Sequence, residues 1–425
     1  MRLRYGLYTA PLSILFATAI VAATAASPST LGALSAAAAL CCAAFVLWPW
    51  AVLPVSILGG SIAGVMIGGG DVATIVMAHA AILSAGGVAL LLRMAANVEP
   101  VRRSAADLPM LGLTLLVLMA AVYGLALGNP PRDVLVGTYQ IVIIPLVFWI
   151  AVQTLAEPRR QRAAALLYLV PTVALTVTAM ATSSRTGGLV ALLGIPPLIV
   201  LAGRTRGWSR AGFAVVAGLL LVDVALSMYR ALWLAATVAL GMMLIWGGRI
   251  LHRGIAATVT VAVAGVALLS LGSDLGEHLG TLQRELQESS GYRGPESAVG
   301  LSAFAEQPLV GGGLGQSVRD IYLPDFTRGD VGPVYHAFYV TVLANIGILG
   351  LISVIWPLYQ TIRDGFLYRD GMKFGFAALT CGFLVGAAFA GPTAGHWELG
   401  LLPALTLITG NAKVLRHITL DGSKT

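Results

Sequence analysis

The chain has 425 residues, of which 57% are hydrophobic and only 11% charged. Soluble domains average about 25% charged residues, so the composition excludes a soluble enzyme or a soluble domain on one anchor. The net charge of +7 would suit nucleic acid in a soluble protein. Here the basic residues sit in short connections between apolar runs, so the expected partner is membrane lipid and not nucleic acid.

Apolar runs of about twenty residues, the length that spans a bilayer as a helix, recur along nearly the whole sequence. Arg2 and Arg4 precede the first run, which ends near Ala26, and a second follows almost at once. That arrangement predicts an uncleaved first helix, not a signal peptide. Spans are predicted at 9–26, 29–49, 51–69, 74–94, 108–127 and 137–155, with the junction between the second and third at Trp48-Pro49-Trp50. Five more lie at 162–182, 186–203, 211–228, 230–247 and 254–272. A long polar segment, 273–333, precedes the last three, at 336–360, 374–391 and 397–412. The fold expected is an all-α polytopic membrane bundle of about 12–14 helices, a single membrane domain over 1–425.

Orientation follows from the loops. With a cytoplasmic N-terminus, the inside connections hold Arg93, Arg102, Arg103, Arg159, Arg160, Arg162, Arg204, Arg206, Arg210, Arg249, Arg253, Arg363, Arg369 and Lys373. Lys413, Arg416 and Lys424 end the chain on the same side. The opposite connections are short and nearly uncharged, as the positive-inside rule requires. The polar segment 273–333 therefore faces outside. It is acidic overall, predicts a short amphipathic helix at 275–288, and has the length of a functional loop.

Arginine is rare on the outer face, so the exceptions stand out. Arg185 lies in Thr182-Ser183-Ser184-Arg185-Thr186-Gly187-Gly188, and Arg230 in Ser227-Met228-Tyr229-Arg230. Arg293 lies in Tyr292-Arg293-Gly294-Pro295-Glu296. Interfacial arginines also snorkel to lipid headgroups. Three on the excluded face point to function, because guanidinium groups bind phosphate through forked hydrogen bonds. Such a cluster suits a lipid diphosphate. Asp223, seven residues before Arg230, is placed on the same helical face, in a structural pairing with a neighbouring arginine or polar group.

His336 opens the helix after the loop, with Val340, Leu343, Gly347 and Gly350 on one face, where the glycines admit a close helix neighbour. Histidine at such a mouth suits a general base. Before it, Phe304-x-x-x-Pro308-Leu309-Val310-Gly311-Gly312-Gly313-Leu314-Gly315 offers backbone N–H groups for a polar pocket. His79 and His396 sit in no comparable pattern. Cys41, Cys42 and Cys381 lie in apolar runs and suggest neither disulfide nor metal. No metal-ligand spacing and no nucleotide-binding loop is present, so no metal or cofactor is expected.

In their order across 182–352 these parts resemble the superfamily of bacterial O-antigen ligases and O-antigen polymerases. The resemblance rests on Ser227-x-x-Arg230 with Ser184-Arg185 as an earlier copy, and on Arg293 in the long outer loop. It continues with Pro308-Leu309-x-Gly311-x-Gly313-x-Gly315 and then His336-x10-Gly347-x2-Gly350. Ala337 follows the histidine where family ligases often have Asn, Ser or Gln, and Tyr229 replaces serine before Arg230. The resemblance implies a metal-independent, inverting glycosyltransferase on the outer face of the inner membrane. The donor would be a glycan on undecaprenyl diphosphate, and the acceptor a hydroxyl of a lipid, glycan or protein. Arg230 and Arg293, with Arg185 as a third candidate, would bind the diphosphate, and His336 would be the base. A polymerase of lipid-linked units differs only in acceptor. A lipid-linked glycan flippase or transporter is the competing class, but such proteins place charges near the bilayer midplane and many carry repeats, neither of which the sequence displays.

Overall fold

The computed structural model of the protein describes residues 43–66, 72–182, 188–227, 229–270, 294–316, 318–322, 328–331, 335–369, 371–390 and 396–409. The predicted spans at 9–26 and most of 29–49, and the amphipathic helix at 275–288, lie outside them. Backbone in a bilayer finds no water to bond, so apolar runs close their hydrogen bonds internally as helices. These are α1 (Val52–Met66), α2 (Val72–Ala95), α3 (Asp107–Ala126), α4 (Pro131–Thr154), α5 (Pro158–Thr182) and α6 (Gly188–Arg204). Next come α7 (Gly207–Leu226), α8 (Arg230–Trp246), α9 (Arg249–Ser270), α10 (Phe338–Phe366), α11 (Met372–Ala387) and α12 (Glu398–Ile408). Helices α3, α4, α7, α10 and most of α5 are long and apolar enough to cross a membrane, and several shorter ones are apolar. The chain is a polytopic helical membrane protein.

Helix α3 shows the logic. Met110, Leu113, Val117, Ala120 and Gly124 are buried at helical spacing, while Leu108, Leu111, Leu115, Met119 and Val122 are exposed. A helix apolar on both faces buries one in the bundle and gives the other to lipid. At the Trp48-Pro49-Trp50 junction, the helical residues 43–47 stop at Trp48, and a single turn, Pro49–Ala51, leads into α1.

Helices α4 and α12 pack together, as do α8 and α11, and α6 packs on both α7 and α9. Helix α10 contacts α3, α11 and α12. The basic connections gather at one end of the bundle. There the Glu99 carboxylate, 1% exposed, meets Arg160 at 2.6 Å, Arg93 at 3.2 Å and Arg102 at 3.7 Å. Glu157 takes Arg102 at 2.9 Å and Arg160 at 3.1 Å. The network ties the α2–α3 connection to the start of α5.

At the opposite end, α10 is opened at Gly347, whose φ of 65° is non-helical. The break frees backbone groups that a bilayer leaves no other way to satisfy, and residues 308–314 supply the partners. The Gly312 N–H donates to Ala344 O at 2.8 Å, while Ile348 N–H and Leu349 N–H donate to Pro308 O and Leu309 O at 2.9 and 3.3 Å. The loop then wedges between helices. Leu314, fully buried, donates its N–H to Ala120 O of α3 at 3.3 Å and accepts from Asn129 Nδ2 at 2.9 Å. The polar segment thus enters the bundle. It also contains helical residues 294–306 and an antiparallel hairpin of β1 (Val318–Tyr322) and β2 (Arg328–Val331), with Val318 opposite Val331, Tyr322 opposite Arg328 and an irregularity between. The hairpin is an addition to the all-α expectation.

Two sequence expectations change here. Gly347 and Gly350 were expected to admit a neighbouring helix, but a Cβ at Gly347 would meet the Leu309 carbonyl at 2.4 Å: the close neighbour is the loop. Asp223 and Arg230 do not share a helix, because α7 ends at Leu226 and α8 begins at Arg230. The structural pairing of Asp223 is with Thr176 Oγ1 of α5, which donates to its carboxylate at 3.1 Å.

Candidate functional site

Three residues of the 294–306 helix, spaced by about one turn, share a face: Glu296, Gly300 and Ala303. Gly300 has no side chain to hold the helix off, and a Cβ there would meet Val340 at 2.4 Å and Tyr335 at 2.9 Å. Ala303, Tyr335 and Ala344 form a small buried cluster with Val299 and Val340 around it. This packing fixes the helix against the first turns of α10 and brings Glu296 to His336.

The His336 side chain is about half-exposed, and its Nδ1 lies 2.7 Å from Glu296 Oε2. The His336 backbone N–H donates to the same oxygen at 3.2 Å. Glu296 itself is buried, at 8% exposure. A carboxylate oxygen that accepts a backbone N–H is an acceptor for the ring as well, so the proton belongs on Nδ1 and the lone pair on Nε2. Neighbouring bonds hold the segment in place. Tyr335 N–H donates to Thr341 Oγ1 at 3.1 Å, and Phe338 N–H donates to Ala390 O at 3.1 Å. Burial, and then the Glu296 charge, push the Tyr335 phenol up to about 12.

Arg230 is the first residue of α8, with Tyr229 as the cap. The start of α8 lies against the end of α11, where Cβ atoms at Gly386 and Gly382 would meet Ala231 O and Ala235 O at 2.7 and 2.2 Å. The turn after α11 carries Ala390, the acceptor for Phe338. Arg230 and His336 therefore lie on elements that converge at one end of the bundle. Arg185 and Arg293 lie outside the described residues.

The glycines of the loop do a different job from the one expected. Gly311, Gly313 and Gly315 have φ of 68°, 79° and 82°, and a Cβ at Gly313 would meet the backbone of Gly124 at 2.8 Å. The N–H groups of Gly312 and Leu314 are turned to helix carbonyls and not into a pocket. The loop supports the site by wedging α3, α4 and α10 beside it. Sequence reasoning missed Glu296 as the histidine's partner; its place next to Tyr292-Arg293-Gly294-Pro295 was the available signal. It also passed over His396, whose Nδ1 lies 2.5 Å from Glu398 Oε1 in a buried pair.

Residues 215–355 match the family model described as O-antigen ligase, a range that runs from α7 through Arg230, the loop and His336 into α10. The match supports the O-antigen ligase superfamily for this part of the chain, which is about a third of its length. A search of curated proteins gives no match.

Proposed function

We propose that the chain is a glycan ligase of the bacterial envelope, transferring a glycan from undecaprenyl diphosphate to an acceptor hydroxyl on the extracytoplasmic face of the inner membrane. The observation that carries this is the His336–Glu296 pair at 2.7 Å, within the region that matches the ligase family. The basic connections at the far end of the bundle support cytoplasmic placement of that end and of both termini.

In the proposed step, His336 Nε2 accepts the acceptor's hydroxyl proton as that oxygen attacks the anomeric carbon. The bond from that carbon to the diphosphate oxygen breaks as the new glycosidic bond forms, so a single displacement inverts the configuration. Glu296 holds the ring and stabilises the imidazolium that results. Arg230 and Arg293, with Arg185 as the third candidate, bind the diphosphate and offset the charge that builds on it. The donor's phosphoester bond supplies the driving force, so neither metal nor ATP enters the step. A polymerase would use the same groups with a second lipid-linked unit as acceptor.

The test is transfer in proteoliposomes supplied with undecaprenyl-diphosphate-linked glycan from the host. Wild type is compared with His336→Ala, Arg230→Ala and Arg293→Ala at matched folded amounts, with and without chelator. Loss of product in all three variants, with a chelator-resistant wild type, is expected; the size of the product separates ligation from polymerisation. Undiminished transfer by His336→Ala would overturn the base assignment. Movement of intact lipid-linked glycan between leaflets without transfer would identify a flippase.

A further inference from the structure

The basic end of the bundle, opposite His336, holds two kinds of cation. Arg93, Arg102 and Arg160 are neutralised by Glu99 and Glu157, and Lys373 by Asp364 at 2.5 Å. Arg204, Arg206, Arg210, Arg249 and Arg253 form no ion pair among the described residues. The sequence explains the difference. Between Arg204 and Arg253 the one acid is Asp223, in the last turn of α7 and so at its far end. Asp370, on the connection after α10, lies outside the described residues.

Packing draws these arginines together. Helix α6 ends against the start of α9, where a Cβ on Gly203 would run into Ile250 O and one on Gly254 into Ile199 O. Arg204 and Arg249, next in sequence to Gly203 and Ile250, therefore stand beside one backbone contact, with Arg253 about one turn further along α9. The Arg204 guanidinium comes within 3.8 Å of the Cβ position of Gly371, and Gly248 N–H donates to Arg369 O at 3.1 Å. The end of α6 and the α8–α9 and α10–α11 connections thus meet here. Arg210 Nε donates to Thr205 O at 3.1 Å, which folds that guanidinium back over the α6–α7 turn. Arg204, Arg206, Arg249 and Arg253 are all exposed. Two tryptophans set the depth: Trp208, in the first turn of α7, is 93% exposed, and Trp246, which closes α8, is 44% exposed. Tryptophan gathers at the headgroup level of a bilayer.

Charge that only sets orientation can stand anywhere on these connections. Arginines packed side by side repel one another, and no described carboxylate offsets them, so the arrangement calls for an anion from outside the chain. We propose that this end of α6, α7 and α9 is a binding site for an anionic phospholipid. Its headgroup phosphate takes forked hydrogen bonds from arginines of both the α6–α7 and the α8–α9 connections. Basic pockets between membrane helices bind such headgroups, and the exposed tryptophans place this one at headgroup depth. The site lies at the end of the bundle away from His336, and it stands whether or not the chain transfers glycans.

The experiment separates a built site from charge in general. Full-length protein in detergent is titrated with cardiolipin, and separately with phosphatidylcholine, and bound lipid is counted by native mass spectrometry. Wild type is compared with two double variants, Arg206→Gln with Arg249→Gln and Arg204→Gln with Arg253→Gln. A third, Arg103→Gln with Arg159→Gln, removes the same charge from exposed residues on other connections of the same end. Thermal unfolding confirms that each is folded. Loss of two arginines predicts cardiolipin held about 30-fold more weakly by the first two variants, with the third close to wild type and phosphatidylcholine unaffected throughout. Cardiolipin should also raise the unfolding temperature of wild type and of the third variant, and of the first two much less. Equal weakening in all three variants overturns the site, because charge alone then accounts for the binding. Wild type that holds cardiolipin no better than phosphatidylcholine overturns it too, and leaves the face to an acidic protein partner.

Discussion

Replacing Glu296 with glutamine keeps the length of the side chain and removes its charge. Its Oε2 accepts from both the His336 ring at 2.7 Å and the His336 backbone at 3.2 Å, so the substitution acts on the position and the electrostatics of one residue. In the proposed step the imidazole begins neutral and ends as a cation, and a carboxylate stabilises the second form more than the first. A hydrogen bond to a charged group contributes about 1.5–3 kcal/mol and a neutral one about 1 kcal/mol. The His336 side chain is 55% exposed, so solvent screens the difference to roughly 1 kcal/mol, or about 5-fold in rate. The expected result in proteoliposome initial rates is kcat about 5-fold lower with donor KM unchanged, against a loss of about 100-fold or more for His336→Ala. A Glu296→Gln enzyme with wild-type kcat would refute the coupling. A loss confined to donor affinity would move Glu296 from the base to the diphosphate site.

Three other substitutions probe the frame around the site. Gly347→Ala places a Cβ 2.4 Å from the Leu309 carbonyl at a φ of 65°, and should destabilise the protein by more than about 2 kcal/mol; an unchanged unfolding temperature in detergent would show that the loop does not depend on this break. Glu99→Ala at the opposite end strips Arg93, Arg102 and Arg160 of a shared buried carboxylate and should cost about 3 kcal/mol, with specific transfer activity of the folded fraction preserved; loss of activity without loss of stability would contradict a purely structural role. For Tyr335, the folded phenol holds its proton up to about 12 against an ordinary value of 10.0. The folded state then binds more protons than the unfolded state in that window, so stability falls as pH rises from about 10 to 12. Tyr335→Phe should flatten that decline in denaturant titrations, and an identical decline in both proteins would assign it to other groups.

The helices were legible because a bilayer leaves apolar runs one way to satisfy their backbone, so span 108–127 emerges as Asp107–Ala126 and span 374–391 as Met372–Ala387. What the sequence concealed depends on tertiary pairing. Nothing local says that Gly347 opens α10, because the break is stabilised by Pro308, Leu309 and Gly312, residues more than thirty positions earlier. The same holds for Glu296, one acid among several in the polar segment until Gly300 brings its helix against Val340. Asp223 shows the opposite error, since the seven-residue spacing to Arg230 suggested one face but a turn at Ser227 intervenes. His396 was dismissed for want of a pattern, although Glu398 stands two residues away: that spacing places side chains on opposite faces within a helix, and His396 lies just before α12 begins, where the chain is free to bring them together.

The function proposed above, proton transfer beside a bound diphosphate, requires polar groups to sit where the bilayer does not charge their full desolvation cost. The loop solves this by pairing itself. The residues around Gly311 exchange backbone bonds with the opened α10, so a non-helical segment reaches into the bundle with Gly312, Ile348 and Leu349 N–H groups bonded across the contact. The wedge stands beside the segment 335–338, whose own bonds go to Thr341, Glu296 and Ala390. Each of those partners lies on a different element, so His336 is held from three directions while its ring stays half in water. A histidine carried on a mobile outer loop would have the same chemistry without this fixed approach to α8 and Arg230. The proposed base needs both: the imidazole to take the proton, and the bonds to Thr341, Glu296 and Ala390 to hold it in one place at the membrane surface.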